Sequence, residues 1–267
     1  MSAFRLGLIG LGAIGGQVIA AIEKGALPGV AVPAILVKRP RAEANAGPLV
    51  THDPERFFAH GFDAVVEGAG HESVRAHGER VLDAGSDLLL TSVGALADDA
   101  FREGLIQAAR RNRRRLILPS AGIGALDILS GAAIGGLDHV EIVVRKQPEA
   151  WKGTPGEHLV DLDRLQAPAV LYEGAVRDGA KAYPKNVNIS AAVALAGIGL
   201  DRTRLKIVAD PGIATHVVEV HAQGAFGRFD FVEDVRPTKD NPKTGVLVGM
   251  AVIKAIRQLT QPLLIGL

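Results

Sequence analysis

The sequence predicts an α/β protein: a doubly wound parallel sheet at the N-terminus, then a second α+β domain built on a largely antiparallel sheet. Three observations predict it. Short, wholly apolar runs alternate with helix-period segments through the first 120 residues, as in a parallel sheet covered on both faces. Beyond Pro119 the strands lengthen and alternate polar with apolar residues, the pattern of a sheet with one buried face. Composition agrees: 48% of the 267 residues are hydrophobic but only 4% aromatic, so the core must come from Ala, Val, Leu and Ile.

The first strand, Arg5 to Ile9, runs into Gly10-Leu-Gly12-Ala13-Ile14-Gly15 and a helix from Ala13 to Lys24. Gly10 permits the tight turn, Gly12 lets the backbone approach a pyrophosphate, and Gly15 lets the helix pack on the strand. The helix N-terminus adds free N–H donors and a positive dipole end. Strand, glycine turn and helix together make a Rossmann-type dinucleotide site, which assigns Gly10, Gly12, Ala13, Ile14 and Gly15 to the cofactor. The second strand, Ala31 to Val37, ends in Lys38-Arg39-Pro40-Arg41, without the carboxylate that takes a ribose 2′-hydroxyl. Lys38 and Arg39 either accommodate a 2′-phosphate or form a solvated loop, so the expected cofactor is NAD or NADP.

Strands at Ala64 to Gly68, Asp87 to Thr91 and Leu116 to Leu118 follow, separated by helices His71 to Ala84 and Ala97 to Asn112. The basic run Arg110 to Arg115 reads as a helix C-terminus, where cations complement the dipole. A helix from Gly124 to Ile134 leads to a strand from Val140 to Arg145. Thr215 to His221 and Arg228 to Asp234 are alternating strands, joined by a short turn containing Gly224 and Gly227. The apolar helix Thr244 to Leu259 is expected to pack back on the first domain. Residues 1–120, completed by 244–267, then form the dinucleotide domain, and 121–243 the substrate domain.

Several function classes drop out. A formal net charge of +1 gives no case for nucleic acid or an anionic membrane. The absence of cysteine excludes disulfides and thiolate metal sites, and no histidine pair has metal-ligand spacing. The chain opens directly into a strand with no signal peptide, and Ile189 to Leu200 is too short to span a bilayer, so a cytoplasmic protein is expected.

Chemistry is expected after residue 120. The small residues of Ser120-Ala121-Gly122 would let a nicotinamide lie against the backbone, or form a hinge. Lys185 and Asn188 precede an Ala-rich helix whose N-terminus favours a carboxylate, although Asn188 also suits an ordinary N-cap. His216, beside a Pro-Gly turn, exchanges a proton near neutral pH with little tuning, yet shares its face with Val218 and Val220 and reads equally as core. Arg145-Lys146-Gln147 and Lys152-Gly-Thr154 read as a basic loop, for acidic substrate groups or for solvent.

The combination of Gly7-Leu-Ile-Gly-Leu-Gly-Ala-Ile-Gly15, Pro119-Ser-Ala-Gly-Ile-Gly-Ala-Leu-Asp127, Tyr183-Pro-Lys-Asn-Val-Asn188 and Asp210-Pro-Gly-Ile-Ala-Thr-His216 resembles the L-aspartate dehydrogenases over essentially the whole chain. The resemblance implies oxidation of L-aspartate with NAD or NADP to iminoaspartate, then oxaloacetate and ammonia, or the reverse amination. Release of the imine toward NAD biosynthesis is the other use it implies. By motif, Ala121 and Asn186 contact the cofactor and His216 is catalytic. Lys185 and Asn188 are the nearest supply for the two substrate carboxylates, and a homodimer is expected. The rival readings are another two-domain reductase of the homoserine dehydrogenase kind, a non-catalytic NAD(P)-binding sensor, and an enzyme that retains NAD through its cycle.

Overall fold

The computed structural model describes residues 2–40, 47–120, 125–184, 188–238 and 245–266. The chain divides into two units, 1–119 with 249–267, and 120–248.

In the first unit, β1 (Phe4–Ile9) leads through the glycine turn to α1 (Ala13–Glu23). The next apolar run is broken into β2 (Val30–Ala31) and β3 (Ala34–Leu36). The sequence read a single strand from Ala31 to Val37. Pro33, which has no N–H to give a ladder, stands at the break. There follow β4 (Leu49–Thr51), α2 (Pro54–Phe58), β5 (Ala64–Glu67), α3 (His71–Asp83), β6 (Asp87–Leu90), α4 (Asp99–Asn112) and β7 (Leu116–Ile117). The helix expected from Ala97 begins two residues later, because Val93–Ala97 is a 3₁₀ turn and the Asp98 carboxylate caps α4 by accepting from the Phe101 N–H at 3.1 Å.

All pairings in this sheet are parallel, in the order β4-β3-β1-β5-β6-β7, with β2 also on β1. The chain moves outward from β1 to β4, crosses back to β5 and moves outward the other way. The loops after β1 and β5 therefore part at the carboxyl edge, where open α/β sheets take their ligands. Two arginines of the basic run are held by ion pairs: Arg111 pairs with Asp83 at 2.8 Å, and Arg115 donates to Asp87 through Nε at 2.9 Å.

The second unit carries α5 (Leu126–Gly135), β8 (Leu137–Lys146), β9 (Ala169–Ala175), α6 (Val176–Ala182), α7 (Asn188–Ala196), β10 (Arg204–Ala209), β11 (His216–Gly224) and β12 (Gly227–Val235). The sheet order is β12-β11-β8-β10-β9, antiparallel except for the parallel pair β8 and β10. One face buries Val140, Ile142 and Val144 of β8 with Val218, Val220 and Ala222 of β11. Helices α5 and α7 pack on these strands. The other face alternates in Arg145, Glu219 and His221, the pattern that identified β11 from sequence.

The last helix, α8 (Leu247–Thr260), returns to the first unit. Val252 and Ile256, both fully buried, join Leu6, Leu8, Val18 and Val66 in one core cluster. Each such side chain contributes roughly 1.5–3 kcal/mol by burial.

Candidate active site

At the carboxyl edge of the parallel sheet the three glycines have different surroundings. Gly10 has φ +102°, a backbone conformation that L side chains rarely adopt, and a Cβ there would stand 3.0 Å from the Gly68 carbonyl oxygen. At Gly15 a Cβ would lie 2.4 Å from the Gly10 carbonyl oxygen, which only glycine permits. Gly12 precedes α1 at φ −91°, and a Cβ there would meet nothing within 4 Å. The fold itself needs no glycine at position 12, and the open space in front of it is what a pyrophosphate requires. The residues fit a dinucleotide on this ground, with Ala13 and Ile14 opening the helix behind the turn.

Lys38 and Arg39 are exposed just beyond β3. Lys38 Nζ stands 3.1 Å from Glu72 Oε2 in the first turn of α3. Both groups are almost wholly solvated, and such a pair is weak enough for a ligand to displace.

The sequence placed Glu67, the last residue of β5, at the ligand-binding edge of the sheet but gave it no role. Its side chain is completely buried; Oε1 accepts from the N–H groups of Ala69 and Gly70, both at 2.8 Å, and Oε2 from that of Ser92 at 3.2 Å. Burial pushes its carboxyl above the ordinary value against the pull of those donors. The signal was a carboxylate ending a wholly apolar strand.

In the second unit, His216 is the first residue of β11, buried and opposite Val235 of β12. The turn before it is anchored. Asp210 Oδ1 accepts from the Gly212 N–H at 2.8 Å, and Asp210 Oδ2 is 3.2 Å from Arg145 Nη1, whose other nitrogen is 3.7 Å from Glu219. β8 ends at Lys146, one residue beyond the expected strand end at Arg145, so Lys146 belongs to the strand and not to the expected basic loop, a correction to the sequence reading. Lys146 is buried with Nζ 5.7 Å from the centre of the Trp151 ring. The strand runs on to Lys146 because its ladder with β10 continues to Ala209. Lys152 pairs with Asp163. Asn188, half-buried, is the first described residue of α7. Ala121, Lys185 and Asn186 lie outside the described residues, as does Arg41.

Glu233 was also missed. It is opposite Val218 on β12, on the inward face with Phe231 and Val235, and its Oε2 is buried with no hydrogen-bond partner among the described residues. Burial raises its carboxyl to about 7. A raised folded-state pKa contributes stability at pH below the unfolded value, and that contribution is lost as pH rises through about 7. Glu233→Gln, neutral throughout, should therefore gain on the parent protein in Tm as pH rises from about 5 to 8, by roughly 2–4 °C per kcal/mol relieved. A Tm difference constant across thermal melts at those pH values would refute this.

No group of three or more His, Cys, Asp or Glu suited to a metal occurs among the described residues. No helix among them is long and apolar enough to cross a membrane.

Comparison with known proteins matches both units. Residues 10–119 match the family described as homoserine dehydrogenase, NAD binding domain, and 127–259 the one described as aspartate dehydrogenase, C-terminal. The crystal structure of aspartate dehydrogenase from Thermotoga maritima superposes with a TM-score of 0.76 over 98% of this chain and 99% of that one, at 23% identity, which shows the shared fold. The L-aspartate dehydrogenase of Ralstonia pickettii is 38% identical, covering 94% of this chain and 96% of its own. That of Methanosarcina acetivorans is 34% identical over 98% and 99%. With likeness of that extent running through both units, the chain belongs to the L-aspartate dehydrogenase family.

Proposed function

We propose that this protein oxidises L-aspartate with NAD or NADP to iminoaspartate, which water converts to oxaloacetate and ammonia, and that it catalyses the reverse amination. The observation that carries this reading is the near full-length identity with relatives named L-aspartate dehydrogenase. The fit of the glycine turn to a dinucleotide supports it.

When bound, the nicotinamide supplies the hydride acceptor. Gly10, Gly12 and Gly15, with the N-terminus of α1, hold the pyrophosphate, and Lys38 and Arg39 lie where an adenosine ribose would end. Ala121 and Asn186 complete the cofactor contacts.

His216 takes a proton from the substrate ammonium, so that the nitrogen lone pair is free to form the C=N bond as Cα gives up its hydrogen. The imidazolium gives that proton up to solvent; the neutral ring then removes a proton from the water that adds to the imine carbon, and returns it to the departing nitrogen. Lys185 and Asn188, the latter in the first turn of α7, receive substrate carboxylate. Two charged carboxylates need such donors, because each would otherwise lose its hydration without replacement.

Absorbance at the reduced-nicotinamide band, read with purified protein and either NAD or NADP, tests the reading. Growth is expected with L-aspartate and not with D-aspartate, L-glutamate or L-homoserine. Lys38→Ala/Arg39→Ala should weaken NADP more than NAD, by about two- to fivefold in KM, as befits exposed charges. Silence with L-aspartate, despite binding of NADH, would overturn the dehydrogenase reading in favour of a sensor.

A further inference from the structure

We propose that Glu67 is a positioning residue for the dinucleotide: its buried carboxylate holds the backbone of residues 68–70 and Ser92 as the wall against which the Gly10 turn is fitted. The inference rests on the cofactor reading above.

Several contacts join the wall to the turn. The Gly68 carbonyl oxygen and the Ala69 methyl lie 3.0 and 3.1 Å from where a Cβ on Gly10 would stand. Gly68 N–H donates to the Ile9 carbonyl at 2.9 Å, and a Cβ on Gly68 would come within 3.6 Å of Ile14 in the first turn of α1. The segment that flanks the glycine turn is thus in contact with it on both its strand side and its helix side.

Glu67 is what fixes that segment. Oε1 takes the N–H groups of two successive residues, Ala69 and Gly70, the second being the residue from which α3 starts at φ +112°. Oε2 takes the Ser92 N–H from the loop after β6, and the Ser92 hydroxyl also bonds to the carboxylate. The main chain of Glu67 is tied to the same loop, since its carbonyl accepts from the Thr91 hydroxyl at 2.8 Å. One side chain therefore joins the loops after β5 and β6.

Stability alone does not call for an ion at this position. A carboxylate with 0% exposure gives up its water, at a cost only hydrogen-bonded partners offset. What the charge adds is geometric, because a carboxylate with two acceptor oxygens satisfies donors from two loops at once. Glutamine cannot reproduce this. Its oxygen still serves Ala69 and Gly70, but its NH₂ then faces the Ser92 N–H, donor against donor.

The test is direct titration of NADH by fluorescence, beside thermal melts and steady-state kinetics, on Glu67→Ala and Glu67→Gln. Glu67→Ala should raise the NADH Kd about tenfold or more, and Glu67→Gln by a smaller factor. At saturating NAD and aspartate, kcat should stay within about threefold. Amide exchange at Ala69, Gly70 and Ser92 should accelerate in Glu67→Gln while β11 is unchanged, which a general loss of stability would not produce. If Glu67→Ala does not fold, Glu67→Gln decides. Folded variants that lose Tm but bind NADH within about twofold of the parent overturn the proposal. Failure of the parent protein itself to bind NADH would instead remove the cofactor reading, and Glu67's role with it.

Discussion

His216→Ala is expected to lower kcat roughly 10²- to 10⁴-fold, the usual size of a general acid–base contribution, with the NADH Kd nearly unchanged. The substitution removes the one imidazole that the Asp210 turn delivers to the start of β11. The supports of that turn stay intact, because the bonds from Asp210 to Gly212 and Arg145 do not involve the ring. The loss in turnover should therefore far exceed what any loss of Tm from the buried ring would explain. Unchanged turnover would remove His216 from the mechanism. Equal losses of kcat and Tm would reduce it to a core residue.

The glycine turn gives the other large effect, as a contrast between two substitutions of the same size. At Gly12 an added methyl meets only open space, so Gly12→Ala should cost the free protein about 1 kcal/mol or less, the difference between glycine and alanine as an N-cap. The methyl would stand in the volume assigned to the pyrophosphate. Forced contact there costs roughly 1–3 kcal/mol, which is about five- to 150-fold in the NADH Kd. Gly15→Ala is different, because its methyl would be 2.4 Å from a backbone oxygen that cannot rotate away. It should lower Tm and cofactor affinity together. Melts and NADH titrations of both variants separate the cases, and wild-type affinity in Gly12→Ala would mean that the dinucleotide lies elsewhere.

What could be read from sequence divides along physical lines. Strands β1, β5 and β6 and helices α1 and α3 were visible because their signals are local: apolar runs of strand length and helical periodicity between glycines. The glycine turn was legible for the same reason. The break at Pro33 needed one missing N–H to be weighed against an otherwise continuous apolar run. Strand β10 was missed, since Arg204 and Lys206 interrupt its apolar residues and its parallel partner β8 lies across more than one intervening element. Lys146 looked like a loop residue because Pro148 follows closely, and the partners of Arg145 beside it, Asp210 and Glu219, are remote in sequence. Glu67 was invisible as a site because its partners are backbone N–H groups, which every residue but proline carries. Glu233 was in principle legible from the inward parity of Phe229, Phe231 and Val235. His216 could not be divided between core and chemistry by its own alternation pattern, and only the four motifs taken together favoured chemistry.

The placement of α8 has a consequence for synthesis. Its side chains Val252 and Ile256 enter a core begun by Leu6 and Leu8, so the nucleotide-binding unit is discontinuous in the chain. Domains emerging from the ribosome ordinarily fold in the order in which they are made. Here the unit encoded first waits for the segment encoded after residue 248, while the continuous unit, 120–248, has all its strands in hand earlier. Birth order and completion order are therefore reversed, and the nascent chain passes through a stage in which its earliest strands lack a helix that seals them.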